Sequence, residues 1–171
     1  SHIDEYKIKA IIHEGHSTMV CKTFKEDDGQ FYSIRLFTEQ SGVDDTVAQR
    51  LKKELLELQK LPAEHFVQHY KLQKSADGFW YRISEWVNAV NWGEIFVSGV
   101  LSDQKKMITL FHNIASVLNV LHKTDHFMPY LIIDDILIPR KGLSDLHVKI
   151  NYKLSRFLNA RATHHGPMLQ K

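Results

Sequence analysis

Alternating polar and apolar residues dominate the first half of the chain and predict β-strands. Ile8, Ala10 and Ile12 alternate with Lys7 and Lys9, which is typical of a half-buried strand. Four further apolar runs predict strands at residues 19–24, 31–37, 66–72 and 79–87. On the strand at 31–37, the spacing of Tyr32, Ile34 and Leu36 places these three side chains on one face.

Between residues 46 and 61, helical spacing interrupts the strand pattern. Apolar residues recur at intervals of four, four and three at Val47, Leu51, Leu55 and Leu58. This stripe predicts a helix over residues 46–61, with Thr46 and Gln49 as a capping box and Pro62 as its end. A short helix is predicted at 92–96.

The strongest helical pattern lies between residues 102 and 122, where Ser102 or Asp103 caps the helix. Its apolar positions are Met107, Leu110, Phe111, Ile114, Val117, Leu118 and Leu121. Monomeric proteins avoid exposing so wide an apolar face. We therefore expect a protein partner, a second copy or the remainder of a larger chain to cover helix 102–122, and we interpret the sequence as a fragment or regulatory piece.

Short strands at 135–138 and 147–152 complete the pattern, and the tail over 159–171 is polar and irregular. Five strands with one helix among them, followed mostly by helix, predict an α+β fold.

Composition narrows the function classes. The chain has 171 residues, of which 43% are hydrophobic and 25% charged, a balance typical of globular domains. A net charge of +2 argues against nucleic-acid or membrane-surface binding. No apolar run approaches the ~20 residues of a membrane span, and the single cysteine, Cys21, excludes internal disulfides and cysteine zinc sites. These features favour a cytoplasmic protein.

The eleven histidines include three close pairs, His13 with His16, His122 with His126, and His164 with His165. We interpret them as surface residues, because no cysteine cluster supports a metal site.

Several motifs occur in the order found in eukaryotic-type protein kinases. The segment 12–20 resembles the glycine-rich loop, 32–37 the strand that carries the nucleotide lysine, and 83–87 the hinge. Residues 121–137 resemble the catalytic loop, and 148–155 the metal-binding loop. The resemblance covers residues 6–158.

This resemblance implies a protein-kinase-like fold, in which a five-stranded antiparallel N-lobe sheet with helix C precedes a truncated, mainly helical C-lobe. The implied domains are 1–87 (N-lobe and hinge), 88–158 (partial C-lobe) and 159–171 (activation-segment remnant or irregular tail).

The resemblance also implies a degenerate nucleotide cleft. Its residues are Gly15, Val20, Ser33, Arg35, Glu54, Ser84, Glu85, Val87 and Leu137. Arg35 takes the place of the nucleotide lysine and is expected to pair with Glu54. Asp135 and Asn151 take the places of the two metal ligands with their side chains exchanged, so a magnesium or calcium site there is an open interpretation beside a purely structural role in turns.

Catalysis is not expected from the same positions. Tyr130 replaces the aspartate that accepts the substrate proton, and a phenol with a pKa near ~10 is uncharged at neutral pH. Ile132 replaces a lysine that contacts phosphate. His13 and Thr18 replace two loop glycines. The sequence therefore predicts a pseudokinase, a scaffold or allosteric regulatory module without phosphoryl transfer and without a required cofactor.

Two alternatives remain open. One is a weak or atypical ATP-dependent serine/threonine kinase-like enzyme that uses Mg²⁺ at Asp135 and Asn151. The other is a small-molecule-sensing cleft, in which small Ser84 opens a back pocket.

Overall fold

The structure is a computed structural model that describes residues 1–126, 128 and 131–152. These residues form two units. The first unit contains Ser1–Gln59 and His69–Glu85, and the second contains Lys60–Gln68 and Trp86–Tyr152. The predicted tail at 159–171 lies outside the described residues.

An antiparallel sheet of six strands forms most of the first unit, in the spatial order β1-β2-β3-β4-β6-β5. The strands are β1 (His2–Ile3), β2 (Tyr6–Glu14), β3 (Thr18–Lys25), β4 (Gln30–Phe37), β5 (His69–Lys74) and β6 (Trp80–Glu85). One helix, α1 (Asp45–Leu58), follows β4 in the chain and contacts β5.

The described part of the second unit contains two α-helices, a two-stranded sheet and short 3-10 helices. These elements are α2 (Trp92–Val97), α3 (Gln104–Lys123), β7 (Ile136–Leu137) and β8 (Lys149–Ile150). Strand β8 pairs with β7 in antiparallel fashion, and Ile150 also forms a parallel bridge with Phe66. Strand β8 therefore lies between two separate stretches of chain, β7 and the bridge at Phe66.

The predicted fold class is wrong. A five-stranded lobe with one helix, followed by a mainly helical lobe, is not what the described residues form: they form a six-stranded sheet, a second small sheet and three α-helices. The sixth strand, β1, exists because Ile3 and Tyr6 bury their side chains in one cluster with Ile34 and Tyr81. That burial stabilises a strand at the very start of the chain.

The small sheet lies where the sequence predicted short strands, at 135–138 and 147–152, and its residues are buried with a period of two. Ile136, Ile138, Val148 and Ile150 are all buried, at 8%, 1%, 1% and 0% exposure. Alternate residues share one face of a strand, whereas in a helix residues two apart point in different directions. This pattern favours extended chain over helix in this part of the sequence.

The predicted faces of β4 and α1 are confirmed, and that of β2 is wrong. Tyr32 and Leu36 pack beside fully buried Ile34 on β4. On β2, Ile12 is 53% exposed, because irregular register near residues 9 and 12 breaks the alternation.

Helix α1 is anchored on the sheet by its apolar stripe and by one carboxylate. Leu55 and Ala48 are buried with Phe37 and Leu72 of the sheet in one cluster. At the first turn, the Asp45 carboxylate accepts hydrogen bonds from Trp80 Nε1 at 3.1 Å and from Lys74 Nζ at 3.0 Å. These two bonds help to hold the start of the helix against β5 and β6.

The start of α1 differs from the expected capping box. Asp44 is the N-cap, and its Oδ1 accepts a hydrogen bond from the backbone nitrogen of Val47 at 2.8 Å. Thr46 lies inside the first turn and is exposed. The helix ends at Leu58, before the predicted end at residue 61.

No helix in the described part of the chain is both long and apolar enough to cross a membrane.

Replacement of the N-cap tests which residue begins α1. Asp44→Ala should lower the free energy of unfolding by about 1 kcal/mol, because the Val47 amide loses its acceptor. Chemical denaturation followed by circular dichroism measures the change. Thr46→Ala is the matched control and should lower the free energy of unfolding far less. An equal loss from both variants would support a capping box that begins at Thr46.

Candidate functional site

The sheet register brings four of the predicted cleft residues onto neighbouring strands of the first unit. Val20 on β3 lies opposite Arg35 on β4. Ser33 on β4 lies opposite Ser84 on β6. The strand pairing therefore brings four predicted cleft residues together in one part of the sheet. They are apolar Val20, cationic Arg35 and the two serines, Ser33 and Ser84.

Two arginines lie side by side at this part of the sheet. Arg35 and Arg82 are directly paired across β4 and β6, and Arg35 Nη1 donates a hydrogen bond to Thr18 Oγ1 at 3.2 Å. Like charges at opposed positions of a sheet are unfavourable. Burial, and after it the charge of Arg35, lowers the pKa of Arg82. The buried Nε of Arg82 has no hydrogen-bond partner.

Ser84 is part of the buried interior. It is 6% exposed, and its hydroxyl lies 2.7 Å from Nδ1 of His69, which is 2% exposed. The two residues are also paired in register across β5 and β6. The small side chain that the sequence assigned to a back pocket thus holds a buried imidazole in place.

Gly15 lies in the turn between β2 and β3, where its backbone nitrogen donates to the carbonyl of Thr18 at 2.9 Å. A cavity of about 640 Å³ adjoins this turn and is also lined by Glu14, His16 and Phe79. A side chain at position 15 would approach His13 Nε2 at 3.2 Å. The turn is therefore tight on one side and open to the cavity on the other.

The remaining predicted cleft residues are divided between the units. Glu54 lies half-buried on α1, and Glu85 ends β6 in the first unit. Val87 and Leu137 belong to the second unit, where Leu137 lies on β7. A nucleotide cleft formed by the predicted set stays a prediction.

Asp135 and Asn151 meet at the end of the small sheet in the second unit. The backbone nitrogen of Asn151 donates to the backbone oxygen of Asp135 at 2.9 Å, next to the paired residues Ile136 and Ile150. Asp135 is buried at 7% exposure, and the buried Oδ1 of Asn151 has no hydrogen-bond partner. The structure brings the two residues together, and the metal site there stays a prediction.

The two degenerate catalytic positions are placed differently. Ile132 is 52% exposed, and Tyr130 lies outside the described residues.

A group of side chains of the types that bind metal ions lies elsewhere in the second unit. The sequence did not reveal it. Among the described residues, one group of three such side chains has its ligand atoms within 4.8 Å of each other: Glu64, His65 and His147. None of the three predicted histidine pairs contributes to it. Because Glu64 and His147 are 83 positions apart, no short spacing in the sequence reveals the group.

No protein-family model matches this chain, and no curated protein matches it. The resemblance to protein kinases therefore stays a prediction from the sequence.

Removal of the Ser84 hydroxyl tests its structural role. Ser84→Ala should lower the free energy of unfolding by roughly 1–3 kcal/mol, because the buried Nδ1 of His69 loses its partner. Thermal and chemical unfolding measure the loss. Ser33→Ala, at the paired position on β4, is the matched control and should change stability by less than half as much. Equal effects from the two variants would contradict the assignment.

Proposed function

We propose that the chain is a regulatory binding module, and that a protein partner binds the exposed apolar face of α3. One observation carries the proposal: Ile108 and Phe111, one helical turn apart, are 61% and 62% exposed. The buried stripe of the same helix consists of Leu110, Ile114, Val117 and Leu121. Ile108 and Phe111 thus form a second apolar surface that the interior of the second unit does not use.

The preceding helix also carries exposed apolar side chains. On α2, Phe96 is 62% exposed and Val97 is 87% exposed. Large aromatic and aliphatic side chains in water carry a cost that binding removes, and aromatic residues are enriched at protein interfaces. Four large exposed apolar residues on two successive helices support a docking role.

The charge of α3 specifies the chemistry of the partner. Its twenty residues include three lysines and two histidines but no aspartate or glutamate. Lys105 and Lys106 lie in the first turn, where a positive charge opposes the helix dipole and so does not serve helix stability. We propose an apolar partner surface with an acidic rim, which these lysines would attract.

A cavity beside the first turn of α3 supplies a place for an inserted side chain. It measures about 390 Å³, and its wall includes Val90, Ile95, Val100 and Leu146, all buried, with Lys106 beside them. Buried anchors in such pockets carry much of the binding free energy at protein interfaces.

The non-catalytic part of the proposal rests on the sequence. Ile132 carries no charge for a phosphate, and position 130 is a tyrosine. Pseudokinase identity and a cytoplasmic location stay predictions. Turnover of ATP by the purified chain would contradict the non-catalytic part.

A photocrosslinking residue at position 111 tests the proposed surface. In cells that express the chain, it should form a crosslink to a defined protein, because Phe111 would be covered in the complex. The purified partner should then bind the Phe111→Lys variant at least tenfold more weakly than the native chain, as read by calorimetry.

Leu56 provides the matched control, because it is 61% exposed but lies on α1 in the other unit. Leu56→Lys should leave the dissociation constant unchanged. If position 111 captures the same proteins as position 56, or if both lysine variants bind the partner equally, the α3 surface is not the docking site.

A further inference from the structure

Two histidines and a glutamate converge on the surface of the second unit. One ring nitrogen each of His65 and His147 and a carboxylate oxygen of Glu64 lie within 4.8 Å of one another. The Glu64 Oε2 lies 3.9 Å from His65 Nε2. The two imidazole rings are 5.7 Å apart between centroids and are tilted by 35°.

Backbone hydrogen bonds fix His65 in this position. The backbone nitrogen of His65 donates to the carbonyl of Pro62 at 3.2 Å. The carbonyl of His65 accepts from the backbone nitrogen of Ile150 at 2.8 Å. Because Ile150 is fully buried, this end of the cluster rests on the interior of the unit.

His147 is fixed just as closely from the other side. Its backbone nitrogen donates to the carbonyl of Gly142 at 2.9 Å, and Asn113 Nδ2 donates to the carbonyl of Leu146, the preceding residue, at 2.9 Å. A Cβ atom at position 142 would lie only 2.6 Å from the Cβ of His147. Glycine therefore allows the close approach that aims the imidazole at Glu64 and His65.

The tautomer of His147 suits a metal ligand. Its Nε2 lies 2.9 Å from the carbonyl oxygen of Glu64, which can only accept a hydrogen bond. In the neutral ring this contact places the hydrogen on Nε2 and leaves Nδ1 as the nitrogen that a metal would bind. Metal-binding histidines commonly donate their second nitrogen to a backbone carbonyl in this way, which orients the ring.

Folding stability alone does not account for the arrangement. The Glu64 side chain is 74% exposed, and an exposed pair at 3.9 Å contributes little. The buried Nδ1 of His65 has no hydrogen-bond partner. A buried polar atom without a partner is rare in native folds, so hydrogen bonding by this atom does not explain the position of the ring.

We propose that Glu64, His65 and His147 form a binding site for Zn²⁺. Two imidazoles with one carboxylate are a donor set that favours zinc over magnesium or calcium, which prefer all-oxygen sites. A tetrahedral zinc ion places its ligands roughly 3.3 Å apart, so modest side-chain rotation closes the present separations. Three protein ligands leave one position for water. The ion joins the turn at residues 62–66 to the loop at 142–147.

Calorimetric titration of the full chain, stripped of metal with a chelator, tests the site. ZnCl₂ should bind saturably at one ion per chain, and MgCl₂ should not bind at this site. Saturating Zn²⁺ should raise the melting temperature by roughly 5 °C, because the ion binds the folded chain and not the unfolded one. Absence of saturable zinc binding overturns the proposal.

Three variants separate this site from the other histidines. His65→Ala combined with His147→Ala should abolish the saturable binding, whereas His112→Ala, which alters an exposed histidine on α3, should leave it unchanged. Glu64→Ala, at an exposed position that folding does not require, should weaken binding at least tenfold. Zinc binding that persists in the double histidine variant, or that is unchanged in Glu64→Ala, assigns the metal to other residues.

Discussion

The pairing of β8 with two separate stretches of chain is the constraint on which the second unit depends. The backbone nitrogen of Ile150 donates to His65, and its carbonyl accepts from Val67 at 3.0 Å. The next residue, Asn151, donates its backbone nitrogen to Asp135 on the opposite side. Successive backbone groups of an extended chain point to alternate sides, so one short strand serves both neighbours. The fully buried side chain of Ile150 removes this pairing from water.

Both candidate metal positions of the second unit follow from that pairing. On one side of β8, the bond to His65 sets the imidazole near His147. On the other side, the bond from the backbone nitrogen of Asn151 to the backbone oxygen of Asp135 brings these two residues together. The two groups differ in chemistry, because imidazoles favour zinc and an amide with a carboxylate favours a hard cation. The same strand thus positions the residues of the proposed zinc site and those of the predicted hard-cation site, which itself stays a prediction.

Local periodicity allowed much of the fold to be predicted. The buried face of β4 and the stripe of α1 depend on side chains two, three or four positions apart, which are visible in the sequence. Strand β1 was missed because Ile3 gains its burial from Tyr81, far along the chain. The face of β2 was wrong because bulges change the register, and a bulge leaves no reliable mark in a single sequence. The N-cap was misplaced by two positions, a difference typical of helix boundaries.

The candidate sites show the same limit. The sequence named Asp135 and Asn151 through a family resemblance, and the structure brings them together. It named Ser84 as a small residue that opens a back pocket, although the hydroxyl is bonded to His69, a partner that the sequence pattern does not reveal. The Glu64 cluster depends on a tertiary contact across 83 positions, so neither spacing nor composition predicts it. What the sequence shows directly is which residue types are present, and the fold decides which of them meet.

Amide hydrogen exchange, measured residue by residue with NMR, tests the central role of β8 most directly. The amides of Ile150 and Asn151 should be among the most slowly exchanging in the second unit, because each donates to a different neighbouring segment and opens only when that pairing is lost. Exchange of either amide as fast as that of exposed Ser144 would show that β8 does not hold the two segments together.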